Sequence, residues 1–308
     1  MTYELIIIGG GPAGASGAVY AGRKQINTLV LKKEWGGQSV VSPDIHNWIG
    51  TPSIAGTKLA EDLKTHVEAY KGDILSIKEE EVANISKTEN GFFVETKDGN
   101  KYTTKTILIT TGSNRKQLEV PGAAQLEHKG LTYCASCDGL FFAGLDVVVI
   151  GAGNSAFESA LQLLAYCKSV TILARSENIK ADPLTVEAVK KDPKAKIIFN
   201  TEITEVLGDK KVEGIKYKDL KSGEIITLSV QGIFVEIGQV PATAFAKDLL
   251  NLDKFGRIEI DPWTQKTSAL GIWAAGDCTN VKYHQNNIAA GDGVRALEDI
   301  YTYIKSNS

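Results

Sequence analysis

Cys134-Ala-Ser-Cys137-Asp138 places two thiols and a carboxylic acid within five residues. Two residues between cysteines is the spacing of a redox dithiol, which closes into a small disulfide ring and reopens without unfolding its surroundings. The neighbouring acid, Asp138, can protonate a departing thiolate during exchange. Half of a zinc site would show the same spacing but needs further ligands. There is no second Cys-x-x-Cys and the four histidines are scattered, so no metal is expected. Cys167 and Cys278 stand apart and read as small buried hydrophobes.

Two glycine-rich turns flank the cysteines. Gly9-Gly-Gly-Pro12-Ala13-Gly14 follows the apolar run Leu5-Ile-Ile-Ile8 and precedes a helical pattern over residues 13–21. This is the context in which the pattern binds a dinucleotide. Gly9 permits the tight turn, Gly11 lets backbone approach a pyrophosphate, and Gly14 lets helix pack on strand. The helix start supplies free N–H groups and its dipole to the phosphates. The acid expected after the second strand is displaced, with Lys32 and Lys33 preceding Glu34, so Glu34 is the candidate ribose partner. Gly151-Ala-Gly153-Asn154-Ser155-Ala156 repeats the turn in its alanine form. Beyond Leu173 come Ala174-Arg175-Ser176 and then Lys180. An acid there would favour NAD and an arginine pair NADP. Arg175 and Lys180 lean toward a 2′-phosphate and Ser176 suits either, so NADPH is expected with NADH possible.

The elements that would position these motifs repeat one plan twice. Strands are expected over residues 5–8 and 28–31 around the first helix. A hairpin follows from Phe92-Phe-Val-Glu-Thr96 through Asp98-Gly99 to residues 101–103, then an apolar strand over 107–109. The second half replays this with strands over 147–150 and 170–173, a helix over 156–165, a hairpin over 214–217 and 225–228, and a buried strand over 232–235. After a connecting stretch over 243–252, strands over 257–260 and 272–277 and a helix over 288–303 complete the first half. The expected class is α/β: two Rossmann-like nucleotide-binding domains, the second inserted into the first, each with an antiparallel β-meander. The first would comprise residues 1–116 and 243–308, the second 117–242 and the cysteines.

Composition narrows the function classes. With 43% hydrophobic and 23% charged residues and a net charge of −3, the chain reads as globular and offers no basic surface for nucleic acid. Lys78-Glu-Glu-Glu81 reads as a solvated edge. No apolar run reaches membrane-spanning length, and the first strand begins too early for a signal peptide. Four cysteines in such a chain suit a reducing compartment, so a cytoplasmic location is expected, with any disulfide catalytic.

With these blocks in order, joined by Gly36-Gly37-Gln38, His46-Asn47-Trp48 with Gly50, Thr111-Gly112, Gly276-Asp277 and Gln285, the whole chain resembles the low-molecular-weight thioredoxin reductases. The resemblance implies a cytoplasmic homodimer that is an NAD(P)H-dependent thioredoxin-disulfide reductase. FAD would lie in the split domain and NAD(P)H in the inserted one. It implies that Gly37, Gln38, Asn47 and Gln285 approach the flavin ring and that Asp277 holds the ribityl and phosphate region. It also implies that Cys137 faces the flavin while Cys134 attacks the disulfide of thioredoxin or a thioredoxin-like protein. Two cofactors and a protein substrate cannot all reach one disulfide in one static arrangement, so the inserted domain is expected to rotate on linkers near 116 and 243. The chain departs from the family at Ala174-Arg175-Ser176 and Lys180, where His-Arg-Arg and a further Arg are usual, and at His284-Gln285-Asn286, usually Arg-Gln-Ala. Lys180-Ala-Asp182 and Gly232-Ile-Phe-Val-Glu-Ile-Gly238 resemble instead the flavoprotein of alkyl hydroperoxide reductase, which uses NADH. That protein's additional N-terminal disulfide domain is not in this sequence, so such a role would need a separate peroxiredoxin-linked or glutaredoxin-like carrier. Two other possibilities are a ferredoxin-fed enzyme, disfavoured by the intact second fingerprint, and a non-catalytic flavin-based redox sensor.

Overall fold

A computed structural model describes residues 2–307 apart from 43 and 44, and only the backbone of residue 137. The chain forms two compact units, residues 1–114 with 240–308, and residues 115–239.

In the first unit, β1 (Thr2–Ile8) ends in four buried apolar residues, the pattern of a strand covered on both faces. α1 (Pro12–Arg23), β2 (Thr28–Lys32), α2 (Gly56–Glu68), β3 (Leu75–Glu79), β4 (Val82–Thr88), β5 (Gly91–Thr96) and β6 (Lys101–Ile109) follow. β6 joins two segments that the sequence suggested were separate strands. Its polar start pairs antiparallel with β5, through Phe92↔Thr104 and Phe93↔Thr103, while from Thr103 onward it runs parallel to β1 as far as Ile8↔Ile109. One strand thus carries a solvated meander at one end and the buried parallel core at the other.

β7 (Ser113–Arg115) leads into the second unit. There α3 (Ala123–Leu126), β8 (Leu131–Thr132), α4 (Ala135–Asp138), β9 (Asp146–Ile150), α5 (Asn154–Leu164), β10 (Ser169–Leu173), α6 (Pro183–Lys191) and β11 (Ala195–Ile198) come first. β12 (Thr201–Leu207), β13 (Gly214–Asp219), β14 (Ile225–Ser229) and β15 (Gly232–Val235) follow, before β16 (Gln239–Pro241) leaves. The parallel sheet runs β11-β10-β9-β15-β8, and β12, β13 and β14 form a sheet of their own. Here the meander does not share a strand with the core, because Val230-Gln231 separates β14 from β15. The connecting strands β7 and β16 pair with each other.

On return, the strand expected over residues 257–260 does not form. Ile258 makes only isolated bridges to Leu252 and Thr279, in a segment bracketed by the turn at Gly256 and by Pro262, which has no N–H. β17 (Ile272–Ala274) is shorter than expected because Gly276 takes φ 78°, the left-handed region. It extends the sheet order β3-β2-β1-β6-β5-β4 by pairing with β6. α7 (Asn286–Ser306) then crosses α1 closely: a Cβ on Gly293 would lie 2.2 Å from Ala13 O, and Ser16 Oγ donates to Ala290 O at 2.8 Å. No helix among the described residues is long and apolar enough to cross a membrane.

The glycines of the first turn divide into packing and access. A Cβ on Gly14 would lie 2.1 Å from Gly9 O, whereas one on Gly11 would meet nothing within 4 Å. Gly14→Ala should therefore lose about 1–3 kcal/mol by overpacking, while Gly11→Ala should stay near wild type. Denaturant titration of both variants checks this, and equal losses would contradict it.

Candidate active site

The first fingerprint sits where β1 hands over to α1. Gly9 has φ 122°, and a Cβ there would run into Thr110 O at 2.3 Å, so only glycine makes this turn. Gly11 is the N-cap of α1 with no side chain capping it, and Pro12 takes the first helical position. The first-turn N–H groups are thus left for an outside acceptor, as a pyrophosphate site requires. The neighbouring loops converge on this opening. A Cβ on Gly37 would come within 3.6 Å of Gly11 Cα, and one on Gly276 within 3.3 Å of Ala13 Cβ. Glu34 is exposed, with its carbonyl packed over Gly10, while the adjacent Lys32 is buried and paired with Glu79 at 2.7 Å. Thr111 Oγ1 donates to Ala242 O at 2.8 Å and Gly112 O accepts from Ala242 N at 3.0 Å.

A hydrogen-bonded patch gathers the expected flavin-loop residues. Gln38 Nε2 donates to Ser113 O at 2.8 Å and Asn47 Nδ2 to Gln285 Oε1 at 2.9 Å. Residues beside Gln285 extend the patch: Asn286, where the sequence departs from the family, and Asn287, which no motif marked. Asn286 Oδ1 accepts from Ser39 Oγ at 2.7 Å, and Asn287 Nδ2 donates to Asn47 O at 2.6 Å. The start of α7 therefore holds the segment carrying Gln38 and Asn47. His284 is no bystander either: its Nδ1 lies 3.4 Å from Asp277 Oδ1, and that hydrogen bond raises the imidazole pKa.

The second fingerprint repeats the geometry. Gly151 has φ 143°, and a Cβ there would lie 2.2 Å from Glu236 O, while one on Gly153 would meet nothing within 4 Å. Gly153 is the uncapped N-cap of α5, Ser155 is exposed and Ala156 is buried under the turn. Asn154 Oδ1 accepts from Asp182 N at 2.7 Å, and Lys180 N donates to Ala152 O at 2.9 Å, so the segment after β10 folds back against the turn. Arg175 is engaged, its Nη2 lying 3.3 Å from Glu202 Oε1 at the exposed rim. In each unit the open glycine and uncapped helix fit a dinucleotide.

The dithiol motif follows the edge strand β8, which pairs with β15 through Ile233↔Leu131 and Phe234↔Thr132. Cys134 is disulfide-bonded. Cys137 lies in the single turn of α4, and its side chain falls outside the described residues. Thr132, unmarked in the sequence, ties the motif together: its Oγ1 donates to Asp138 Oδ2 and accepts from Cys134 N at 3.3 Å. Cys167 and Cys278 are free and buried, and burial pushes both thiols up to about 11, so neither is a nucleophile at neutral pH. No group of three or more metal-binding side chains occurs among the described residues.

A family model described as pyridine nucleotide-disulphide oxidoreductase matches residues 3–293. The chain belongs to that family. Its fold is that of two nucleotide-binding domains, as in thioredoxin reductase. The thioredoxin reductase of Lactococcus lactis superposes with a TM-score of 0.93 at 33% identity, over 99% of this chain and 100% of that one. That of T. acidophilum gives 0.90 at 38%, over 100% and 99%. A relative from Escherichia coli (strain K12), named as a component of alkyl hydroperoxide reductase, is 38% identical over 304 residues. A Bacillus subtilis (strain 168) protein named NADH dehydrogenase is 35% identical over 305. The chain is covered to 98% and 99% by these two relatives but spans only 58% and 59% of their lengths.

The His284–Asp277 pair makes a signed prediction. Because the native pKa lies above the ordinary 6.5, the pair's stabilisation is fully present below that value and is lost as pH rises through the native pKa. His284→Asn should flatten this part of the stability–pH curve, measured by denaturant titration from mildly acidic to mildly basic pH. An unaltered slope would contradict the pairing.

Proposed function

We propose that the chain passes electrons from NAD(P)H through FAD and the Cys134/Cys137 dithiol to the disulfide of thioredoxin or a thioredoxin-like protein, as a cytoplasmic homodimer. The observation that carries this is the disulfide-bonded Cys134, beside the Thr132–Asp138 hydrogen bond, in a unit with its own dinucleotide crevice. Gly9, Gly11, Pro12, Ala13, Gly14, Glu34, Gly37, Gln38, Asn47, Thr111, Gly112, Gly276, Asp277 and Gln285 would hold FAD. Gly151, Gly153, Asn154, Ser155, Ala156, Arg175 and Lys180 would hold NAD(P)H. When bound, these groups supply a hydride and, from it, the electron pair that opens the disulfide.

The side chains perform the exchange. The Cys134 thiolate attacks one sulfur of the partner disulfide, forming a mixed disulfide and releasing the other sulfur as a thiolate. Cys137 then attacks Cys134, which releases the second partner sulfur and restores the internal disulfide. Asp138, held by Thr132, protonates a leaving thiolate. Leu140 and Phe141, 74% and 81% exposed directly after the motif, give a protein substrate an apolar surface beside it.

The Arg175–Glu202 pair favours a second reading within the same chemistry. Glu202 beside Arg175 adds a negative charge that a 2′-phosphate would have to displace, which suits NADH and reduction of a separate peroxiredoxin-linked or glutaredoxin-like carrier. The E. coli relative named for alkyl hydroperoxide reductase supports it.

Cys137→Ser tests the thiol assignment. It should abolish steady-state disulfide reduction with a panel of such carriers, thioredoxin included, while pyridine nucleotide still bleaches the flavin under anaerobic conditions. Turnover at the wild-type rate would overturn the assignment.

A further inference from the structure

Immediately after the apolar strand β15 stands Glu236, a carboxylate whose side chain is only 7% exposed. In the sheet order β11-β10-β9-β15-β8, the direction of winding reverses between β9 and β15. Dinucleotides lie across such a reversal, outside the carboxyl ends of the strands. The adenosine half is read beyond the second strand of the unit, here β10, so the nicotinamide half belongs on the other side, over the end of β15. Glu236 forms that end. Its N–H donates to Ile150 O at 2.8 Å, and its carbonyl is the atom that forbids a Cβ on Gly151.

The side chain is fixed as deliberately as the backbone. Ser159 Oγ on α5 donates to Oε1 at 2.8 Å, and Arg115 Nη1 donates to the same oxygen at 3.2 Å. Both bonds end on Oε1, which leaves Oε2 for a further donor. Burial pushes the carboxyl pKa up, the nearby Glu158 adds to this, and Arg115 and Ser159 pull it back. A buried carboxylate gains most from a donor that reaches its remaining oxygen. At the nicotinamide end of a dinucleotide that donor is the carboxamide NH2, whereas the pyrophosphate, an anion, would be repelled.

We infer that Glu236 is a positioning residue for the pyridine nucleotide, Oε2 accepting from the carboxamide N–H of the nicotinamide while Ser159 and Arg115 hold Oε1. This rests on the reading of the second unit as the NAD(P)H site. It makes Glu236 a selector for the amide rather than for the dinucleotide as a whole.

The test is calorimetric binding of three ligands to the full FAD-loaded chain: NAD+, its 3-acetylpyridine analogue, in which a methyl replaces the NH2, and ADP-ribose, which lacks the ring. Wild type should bind NAD+ about tenfold more tightly than the analogue. Glu236→Ala should bring that ratio near one while leaving ADP-ribose affinity within about twofold of wild type. Glu236→Gln, which keeps an acceptor oxygen, should restore most of the preference. A preference that survives Glu236→Ala, or equal weakening of all three ligands, would make the Arg115–Glu236 pair purely architectural and overturn the inference. Failure of the underlying reading looks different, since wild type would then bind none of the three and no NADP+ either; if NADP+ alone binds, the same comparison is made with NADP+ and its 3-acetylpyridine analogue.

Discussion

Two helices that begin at a glycine just after a buried parallel strand are the constraint on which the rest of this molecule depends. α1 and α5 start at Gly11 and Gly153, neither able to offer an oxygen to the orphan N–H groups that a helix start leaves. Those groups must find an acceptor in water or in a ligand. Around each start the chain removes everything that could obstruct one: the strand before it ends in a positive-φ glycine, and the open glycine faces no neighbour within 4 Å. The buried strands β1 and β9 fix where the turns sit, so the apolar core and the polar opening are one design.

Around that shared plan the units differ in ways that suit different tasks. In the first, β6 runs from the meander into the core, and the segment bearing Gln38 and Asn47 is held by Gln285, Asn286 and Asn287 at the start of α7. In the second, the meander is a separate sheet, and the edge of the parallel sheet carries the dithiol motif through β8 and Thr132. The contrast between Cys134 and the two free cysteines follows from placement: one stands in a short turn after an edge strand, the others in cores where burial disfavours a thiolate.

The strands legible from sequence included the apolar runs of β1, β2, β9, β10 and β15 and the hairpin strands β5, β13 and β14, and the turns legible were those where glycine alone can pass. Less legible were features made by distant contacts. Arg115 and Glu236 are 121 residues apart and no motif joins them, although a lone acid after an apolar strand was a visible clue. Thr132 looked like any strand threonine until the turn of α4 brought Asp138 back to it. The sequence marked His284 only as a departure from the family pattern, because Asp277 meets it across a folded turn. The segment over residues 257–260 had strand-like alternation, yet the flanking turn and Pro262 left it only isolated bridges. α2 buries Leu59, Ala60 and Val67 at helical spacing, a pattern present in the sequence but diluted by its charged neighbours.

The central claim is that a flavin and the Cys134 disulfide lie in electronic series. The direct measurement is an anaerobic reductive titration of the FAD-loaded chain, comparing wild type with Cys134→Ser while following flavin absorbance and free thiols. The account predicts that wild type takes up a second electron pair per flavin, appearing as two new thiols, and that the variant takes up only the flavin's own pair. Equal uptake by both proteins would contradict it.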